Sequence, residues 1–319
     1  MNPRAAQVST GDVAPTGRWA ADCSVVLVSY RTGPVLLECL ASVLRQNGVR
    51  EVVLVNNGNP PGLLAEVDRL AACDTRLVVM TGHGNVGFAH GCNLGADRAT
   101  QPTLLLLNPD TVLEPGVLEA ALDALAGRED VALATVRLLN TDGTEQRGCR
   151  RNLLTPWNCV VEQLRLASLI PGLSGVNLNT APVPDHPVEV PCISGAFMLM
   201  PRDTWERAGG MDEGYFLHVE DVDFCLRLRR DGGRILYIPG VSVTHVQGTS
   251  RASPMVVEWH KARSLVRYFF TYFRSGWQAP VVALIAVLVQ LRFVAIAPAR
   301  TLLWMLRERR GVHPPPEAR

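Results

Sequence analysis

The chain lacks a dominant charge. Its 319 residues carry 31 Lys or Arg against 30 Asp or Glu, a net of +1, which excludes a nucleic-acid binder working through bulk electrostatics. Any anionic ligand must be held locally. Paired cysteines are also lacking. The eight cysteines stand at 23, 39, 73, 92, 149, 159, 192 and 225 with no CxxC spacing, the pattern of reduced, buried thiols rather than of a disulfide framework or zinc knuckle. There is no internal repeat. No apolar h-region precedes Trp19, and residues 1–22, rich in Ala, Pro, Gly, Ser and Thr, are expected to form a disordered leader without a signal peptide.

What is present is an alternation. "SVVLVS" (24–29), "EVVLV" (51–55), "RLVVM" (76–80), "TLLLL" (103–107) and "VALATV" (131–136) read as strands without polar alternation, as a sheet covered on both faces requires. Between them lie amphipathic helices. "GPVLLECLASVLRQN" sets Leu36, Leu40, Val43 and Leu44 on one face behind Pro34, and "PPGLLAEVDRLAA" and "EPGVLEAALDALAG" repeat the Pro-led opening. The expected product is an α/β fold with a doubly wound, mostly parallel sheet. Residues 149–191, with several Pro and Gly, a helix around 160–167 and no strong strand, are too long for an ordinary connection and read as a functional insertion or lid. Strands resume at "GAFMLM" (195–200), "RILYI" (234–238) and "VSVTH" (241–245), and a final helical region begins near Met255.

Three segments carry chemistry. In parallel sheets ligands bind beyond the carboxyl ends of the strands, and "LLLLNPD" delivers Asp110 there, with Pro109 stopping the strand. A β-turn capping the next helix explains the same residues. "GHGNVGFAHGCNLGADRA" (82–99) suits either close backbone approach to a phosphate or plain glycine-mediated helix packing. Glu220, Asp221 and Asp223 stand where an amphipathic helix begins, which the helix dipole and an Asp223–Arg227 pair justify structurally. Burial beside like charges would also make one of them a usable base. His245 ends a strand and matters if it converges with Asp110.

Taken in order, these segments resemble the inverting family-2 glycosyltransferases of the GT-A fold, in particular the rhamnosyltransferase-like branch that builds bacterial surface polysaccharides. "VVLVSYRTGPVLLECLASVLRQ" is similar to that family's first strand and helix, and "VVLVNNGN" stands where it has a VVDNGS-type stretch. "GNVGFAHGCNLG" resembles its NxGFaxGnNxG segment, "LLLLNPD" its DxD-type metal motif, and "SGAFMLMPRDTWERAGGMDEGYFLHVEDVDFCLRL" its acceptor side and ED helix. The match covers residues 23–250, taken as the transferase domain, with 251–319 a C-terminal helical appendage.

The resemblance implies the following roles. Ser29, Tyr30 and Asn56 line the nucleobase pocket. Asn85, Gly87, Phe88 and Asn93 close over nucleoside and ribose. Asp110 binds a divalent metal (Mn or Mg) on the donor's diphosphate, supported by Asn108, with His245 a further metal ligand. Asp221 is the general base, paired with Glu220, and Ser194, Gly195 and Ala196 wall the donor sugar and acceptor. Asp110, Asp221 and His245 are expected to meet in one pocket. The implied activity moves a sugar, rhamnose-like or another hexose, from a dTDP-, UDP- or GDP-linked donor to a hydroxyl of a glycan or lipid-linked acceptor, with no nucleic acid involved. Asn56 departs from the family's usual Asp, although its amide oxygen can still accept from a pyrimidine N–H. That departure keeps a non-catalytic nucleotide- or glycan-binding relative in view. A sugar nucleotidylyltransferase would need a Gly-rich, Arg/Lys-bearing loop after the first strand, for which "SYRTGP" is too poor.

The tail closes the sequence with "APVVALIAVLV" (279–289). As a helix it covers only ~17 Å of a ~30 Å hydrocarbon core. Extension to Ala299 brings in Gln290 and Arg292, and an arginine near mid-bilayer costs about 2.5–3.5 kcal/mol. Arginines at 263, 267 and 274, and at 300, 307, 309 and 310, favour a helix pair at an anionic membrane surface. A helix covering the sheet or a dimer contact competes with that reading. The expected location is cytoplasmic, at the inner face of the cell membrane.

Overall fold

The computed structural model describes residues 18–163, 175–179, 181–250 and 252–309; the leader up to residue 17 and the 164–174 part of the insertion lie outside them. The chain runs β1 (Cys23–Ser29), α1 (Val35–Leu44), β2 (Val49–Asn56), α2 (Pro61–Cys73), β3 (Leu77–Met80), α3 (Phe88–Arg98), β4 (Thr103–Leu107), β5 (Thr111–Val112), α4 (Val117–Leu125) and β6 (Val131–Leu139). It continues through β7 (Arg150–Arg151), α5 (Pro156–Gln163), β8 (Val188–Glu189), β9 (Cys192–Ile193), β10 (Phe197–Pro201), α6 (Arg202–Ala208), α7 (Glu220–Arg230), β11 (Arg234–His245), α8 (Pro254–Phe273) and α9 (Ala279–Arg309). Every residue of β1, β4 and β10 is buried. That is why these strands carry unbroken apolar runs: layers on both faces leave no side for polar residues.

The main sheet has the order β3-β2-β1-β4-β10-β6-β11-β5, with β8 on β11. β1 pairs in parallel with β2 and β4, β2 with β3, and β6 with β11. β10 lies antiparallel between β4 and β6, a reversal that its hydrophobic run does not reveal. The consequence is positional. Phe197 at the start of β10 faces Leu107 at the end of β4, so the segment entering β10 shares the active edge with the carboxyl ends of β1, β2 and β4. Two expected strands, 234–238 and 241–245, are one strand, β11, with a register shift between Ile238 and Ser242 where Pro239 and Gly240 interrupt the ladder. The insertion holds only two-residue strands among its described residues: β7, which pairs with β9 just beyond it, and β8, which pairs with β11.

The helices pack as their spacing dictates. α1 buries Leu36, Cys39, Leu40 and Val43, an i, i+3, i+4, i+7 stripe. α3 approaches the sheet through its glycines. A Cβ at Gly91 would stand 2.7 Å from Val28 Cγ1, and one at Gly95 would collide with Val26. α8 is fastened to the domain by Ser264 to the Leu217 carbonyl (3.0 Å), Arg267 to Asp212 (2.8 Å) and Tyr272 to Asp223 (2.6 Å). α9 packs along α8. Seven cysteines are buried and Cys73 is exposed, all as free thiols.

Gly95→Ala is expected to force α3 off β1 and lower stability by about 1–3 kcal/mol, read as a drop in the denaturant midpoint at unchanged slope.

Candidate functional site

The buried β4 ends in a turn that Asn108 closes by accepting from Thr111 N–H (3.2 Å), while Asn108 N–H donates to the Ala196 carbonyl (3.0 Å). β5 then pairs antiparallel with the end of β11, setting His245 opposite Thr111. This pairing brings Asp110 and His245 together: His245 Nε2 lies 3.0 Å from Asp110 Oδ1, and Thr249 Oγ1 donates to Asp110 Oδ2 at 2.9 Å. Burial, the largest influence on Asp110, raises its pKa, but His245 and Thr249 together outweigh it and hold the carboxyl below its usual value.

The imidazole is oriented from behind. Gln146 Nε2 donates to the His245 carbonyl and to Asn140 Oδ1, so its Oε1 is the atom that faces His245 Nδ1 at 2.6 Å. Nδ1 must therefore carry a proton. Nε2 then directs its other valence at Asp110 Oδ1 and lies 3.2 Å from the Asn108 amide. A neutral imidazole would oppose a lone pair to a carboxylate, so the contact calls for a positive charge between them, a proton or a metal ion. Carboxylate oxygens beside an imidazole held by an outer hydrogen bond make a fitting donor set for Mg²⁺ or Mn²⁺. Among the described residues no group of three or more His, Cys, Asp or Glu side chains is placed to hold a metal ion.

Asp221 does not join Asp110 and His245 in direct contact, as had been expected of all three. It stands on the other side of the segment entering β10, with Oδ2 accepting from Gly195 N–H (3.0 Å) and from Arg151 Nη2 (2.5 Å), and Oδ1 from Val222 N–H (2.8 Å). Asn108 and Asp221 thus grip neighbouring residues, Ala196 and Gly195. Ser194 Oγ braces the same segment by accepting from Ala196 N–H at 3.2 Å. Arg151 also donates to the Ile193 carbonyl at 2.6 Å. Burial works to lower its pKa, but Asp221 more than compensates, and the guanidinium stays charged.

α7 starts under strain. His218 and Val219 both have positive φ, 66° and 76°, a conformation that costs a β-branched residue of order 1–3 kcal/mol. Glu220 is buried, and burial followed by the Asp221 charge pushes its pKa up to about 8. Glu220 and Asp221 both line a cleft of about 240 Å³ with Arg151, Asn152, His218 and, from α8, Lys261 and Leu265.

The residues expected around the nucleobase have these partners. Ser29 is fully buried and its hydroxyl is taken up by Thr32 (2.8 Å) and Asn59 (2.9 Å). Tyr30 lies partly exposed over Gly58. Asn56 Oδ1 accepts from Gly58 N–H, Asn59 N–H and Asn59 Nδ2 at 2.9–3.1 Å. That oxygen is committed to its own turn, and the group able to face a base is the amide nitrogen, a donor. Asn93 clamps the Met211 backbone and Glu213 and does not reach towards the sheet edge. Gly87 has φ 89° and meets the Phe216 carbonyl, to which Phe88 N–H donates at 2.8 Å. Asn85, exposed, caps that turn through Gly87 N–H. Three participants carried no motif, Gln146, Arg151 and Thr249, and Asn59, which ends "VVLVNNGN", had been given no role.

A family model described as glycosyltransferase like family 2 matches residues 20–264. The chain is 28% identical over 291 residues, 81% of its length and 87% of the relative's, to the N-acetylglucosaminyl-diphospho-decaprenol L-rhamnosyltransferase of Mycobacterium tuberculosis. It is 25% identical over 230 residues, 71% of its length and 67% of the relative's, to the low-salt glycan biosynthesis hexosyltransferase Agl10 of Haloferax volcanii. In fold it is similar to the mannosyltransferase PcManGT of Pyrobaculum calidifontis, solved with GDP-Man and Mn²⁺, at TM-score 0.53 and 19% identity over 92% of this chain and 76% of that one.

Glu220 yields a pH prediction. Between its ordinary value and about 8 the unfolded chain has lost the proton that the folded chain keeps, so stability falls as pH rises through that window. Glu220→Gln should remove this part of the slope and raise the thermal midpoint at pH 8 relative to the wild type, measured by calorimetry from about pH 5 to 8.

Proposed function

The chain belongs to glycosyltransferase family 2, and from that premise we propose that it transfers a hexose, rhamnose-like in its nearest chemistry, from a nucleotide-diphosphate donor to a lipid-linked or glycan hydroxyl with inversion. The observation that carries this reading is the pair of opposed grips on one short segment: Asn108, two residues before Asp110, on Ala196, and Asp221 on Gly195. A donor lying along residues 194–196 has a cation-binding carboxylate at one end and a base at the other. The mycobacterial relative, named for its diphospho-decaprenol acceptor, supports a lipid-linked acceptor here.

Asp110 and His245 would hold a divalent cation, with Asn108 beside them. Such a cation neutralises the charge that develops on a departing diphosphate. Asp221 takes the proton of the acceptor hydroxyl as that oxygen attacks the sugar carbon from the face opposite the leaving group, so one base suffices and no enzyme nucleophile is needed. Gly195 N–H and Arg151 fix its carboxylate plane. Arg151 pairs with the Asp221 carboxylate, while Glu220, protonated at neutral pH, adds no second negative charge to the cleft. Gln146 holds the His245 tautomer whose Nε2 can face a cation.

Asp221→Asn is expected to lower kcat by about 10²–10⁴-fold while leaving donor affinity by calorimetry unchanged; near-normal turnover would refute the base assignment. Gln146→Leu should raise the Mn²⁺ concentration needed for half-maximal activity by about 10–100-fold, with kcat recovered at saturating metal. Equal metal requirement in that variant and the wild type would remove the positioning role.

A further inference from the structure

We propose that α8 and α9 form a platform that lies in the plane of an anionic membrane, with α9 sunk into the lipid by its outer face and the acceptor cleft opening beside it. The first observation is that outer face. Every exposed position of α9 from 280 to 306 is uncharged, and Gln290 is the one polar residue among them. Leu284, Val287, Leu291, Val294, Leu302 and Leu306 are each at least 44% exposed. A helix on a water-facing surface carries charge on its outer side; this one carries none over ~40 Å of helix.

The second observation resolves the arginine that the sequence placed in the apolar run. Arg292 and Arg300 both turn inward to Glu258 of α8, at 3.4 and 2.6 Å, and Glu258 is buried. The two cations are thus spent against α8, and the lipid-facing side stays clean.

The third is charge. Residues 254–310 hold nine Lys or Arg and two Asp or Glu, a net of +7, so the remainder of a chain of net +1 carries −6. A second copy docking through this hairpin would bring two +7 segments together, whereas an anionic lipid surface complements them. Tryptophans mark the rim: Trp277 is 79% exposed where α9 begins, and Trp157 is 61% exposed on α5, which packs against α9. Indole rings favour the headgroup level.

Orientation follows from packing. α8 is tied to the domain at Leu217, Asp212 and Asp223, and α9 lies along it with Val282, Ile285, Val289 and Ala297 buried. α9 is long and apolar enough to cross a bilayer, but crossing would pull it from α8, which the domain holds, so the proposal lays it flat. Lys261 and Leu265 of the same α8 wall the cleft that holds Asp221, which places the acceptor entrance at the lipid surface; this last step rests on the proposed role of Asp221.

The test uses the full chain without donor or metal, so its outcome is independent of transfer activity. The protein should float with vesicles of phosphatidylcholine containing about one-third phosphatidylglycerol and much less with phosphatidylcholine alone. The triple variant Leu284→Glu, Val287→Glu, Leu291→Glu should lose flotation by roughly tenfold or more with unchanged circular dichroism and thermal midpoint. In a Cys73→Ser background, dyes sensitive to dithionite at Ala283→Cys and Leu303→Cys should both be reduced by reagent added outside the vesicles. Flotation of the triple variant equal to the wild type overturns the proposal. So does protection of one dye alone, which indicates a span, and so does a wild-type dimer by light scattering that the triple variant dissolves while neither floats, which indicates a second copy.

Discussion

Gly195 and Ala196 make two hydrogen bonds in opposite senses, and the site is organised around them. The Ala196 carbonyl accepts from the end of β4, and Gly195 N–H donates to the carboxylate at the start of α7. Both are possible because β10 runs against its neighbours. A parallel strand in that slot would present its entry at the opposite edge of the sheet, and the Asp110 and Asp221 sides would share no common segment.

The electrostatics of the two sides differ in kind. On the Asp110 side burial is offset by hydrogen bonds from His245 and Thr249, and the carboxyl stays acidic. On the Asp221 side Arg151 pairs with one carboxylate while its neighbour Glu220 is driven towards the neutral form by burial and the Asp221 charge. Both carboxyls follow the left-handed turn at His218 and Val219 and line the same cleft.

Much of this was legible beforehand. Runs such as Leu104–Leu107 have no polar alternation because they are covered on both sides, so doubly wound layering followed from composition alone, and the polar break after Leu107 marked the active edge. The direction of β10 was not legible, since an apolar run reads alike both ways. Ser29 and Asn93 share one ambiguity: a small polar side chain near a strand end or in a glycine-rich loop can turn towards its own backbone as readily as towards a ligand, and only coordinates distinguish the two. Arg151 and Gln146 left no periodicity or motif. Their roles arise from tertiary contacts with Asp221 and His245, 70 and 99 positions away in sequence.

Tyr272 of α8 donates to Asp223 of α7, which Arg227 also holds at 2.8 Å. The phenol is a tether between the hairpin and the helix whose first turn carries Glu220 and Asp221. Anything that tilts the hairpin loads that tether, and the load arrives at a turn already wound the wrong way for valine. The position of that first turn is thereby tied to what the far helices rest upon.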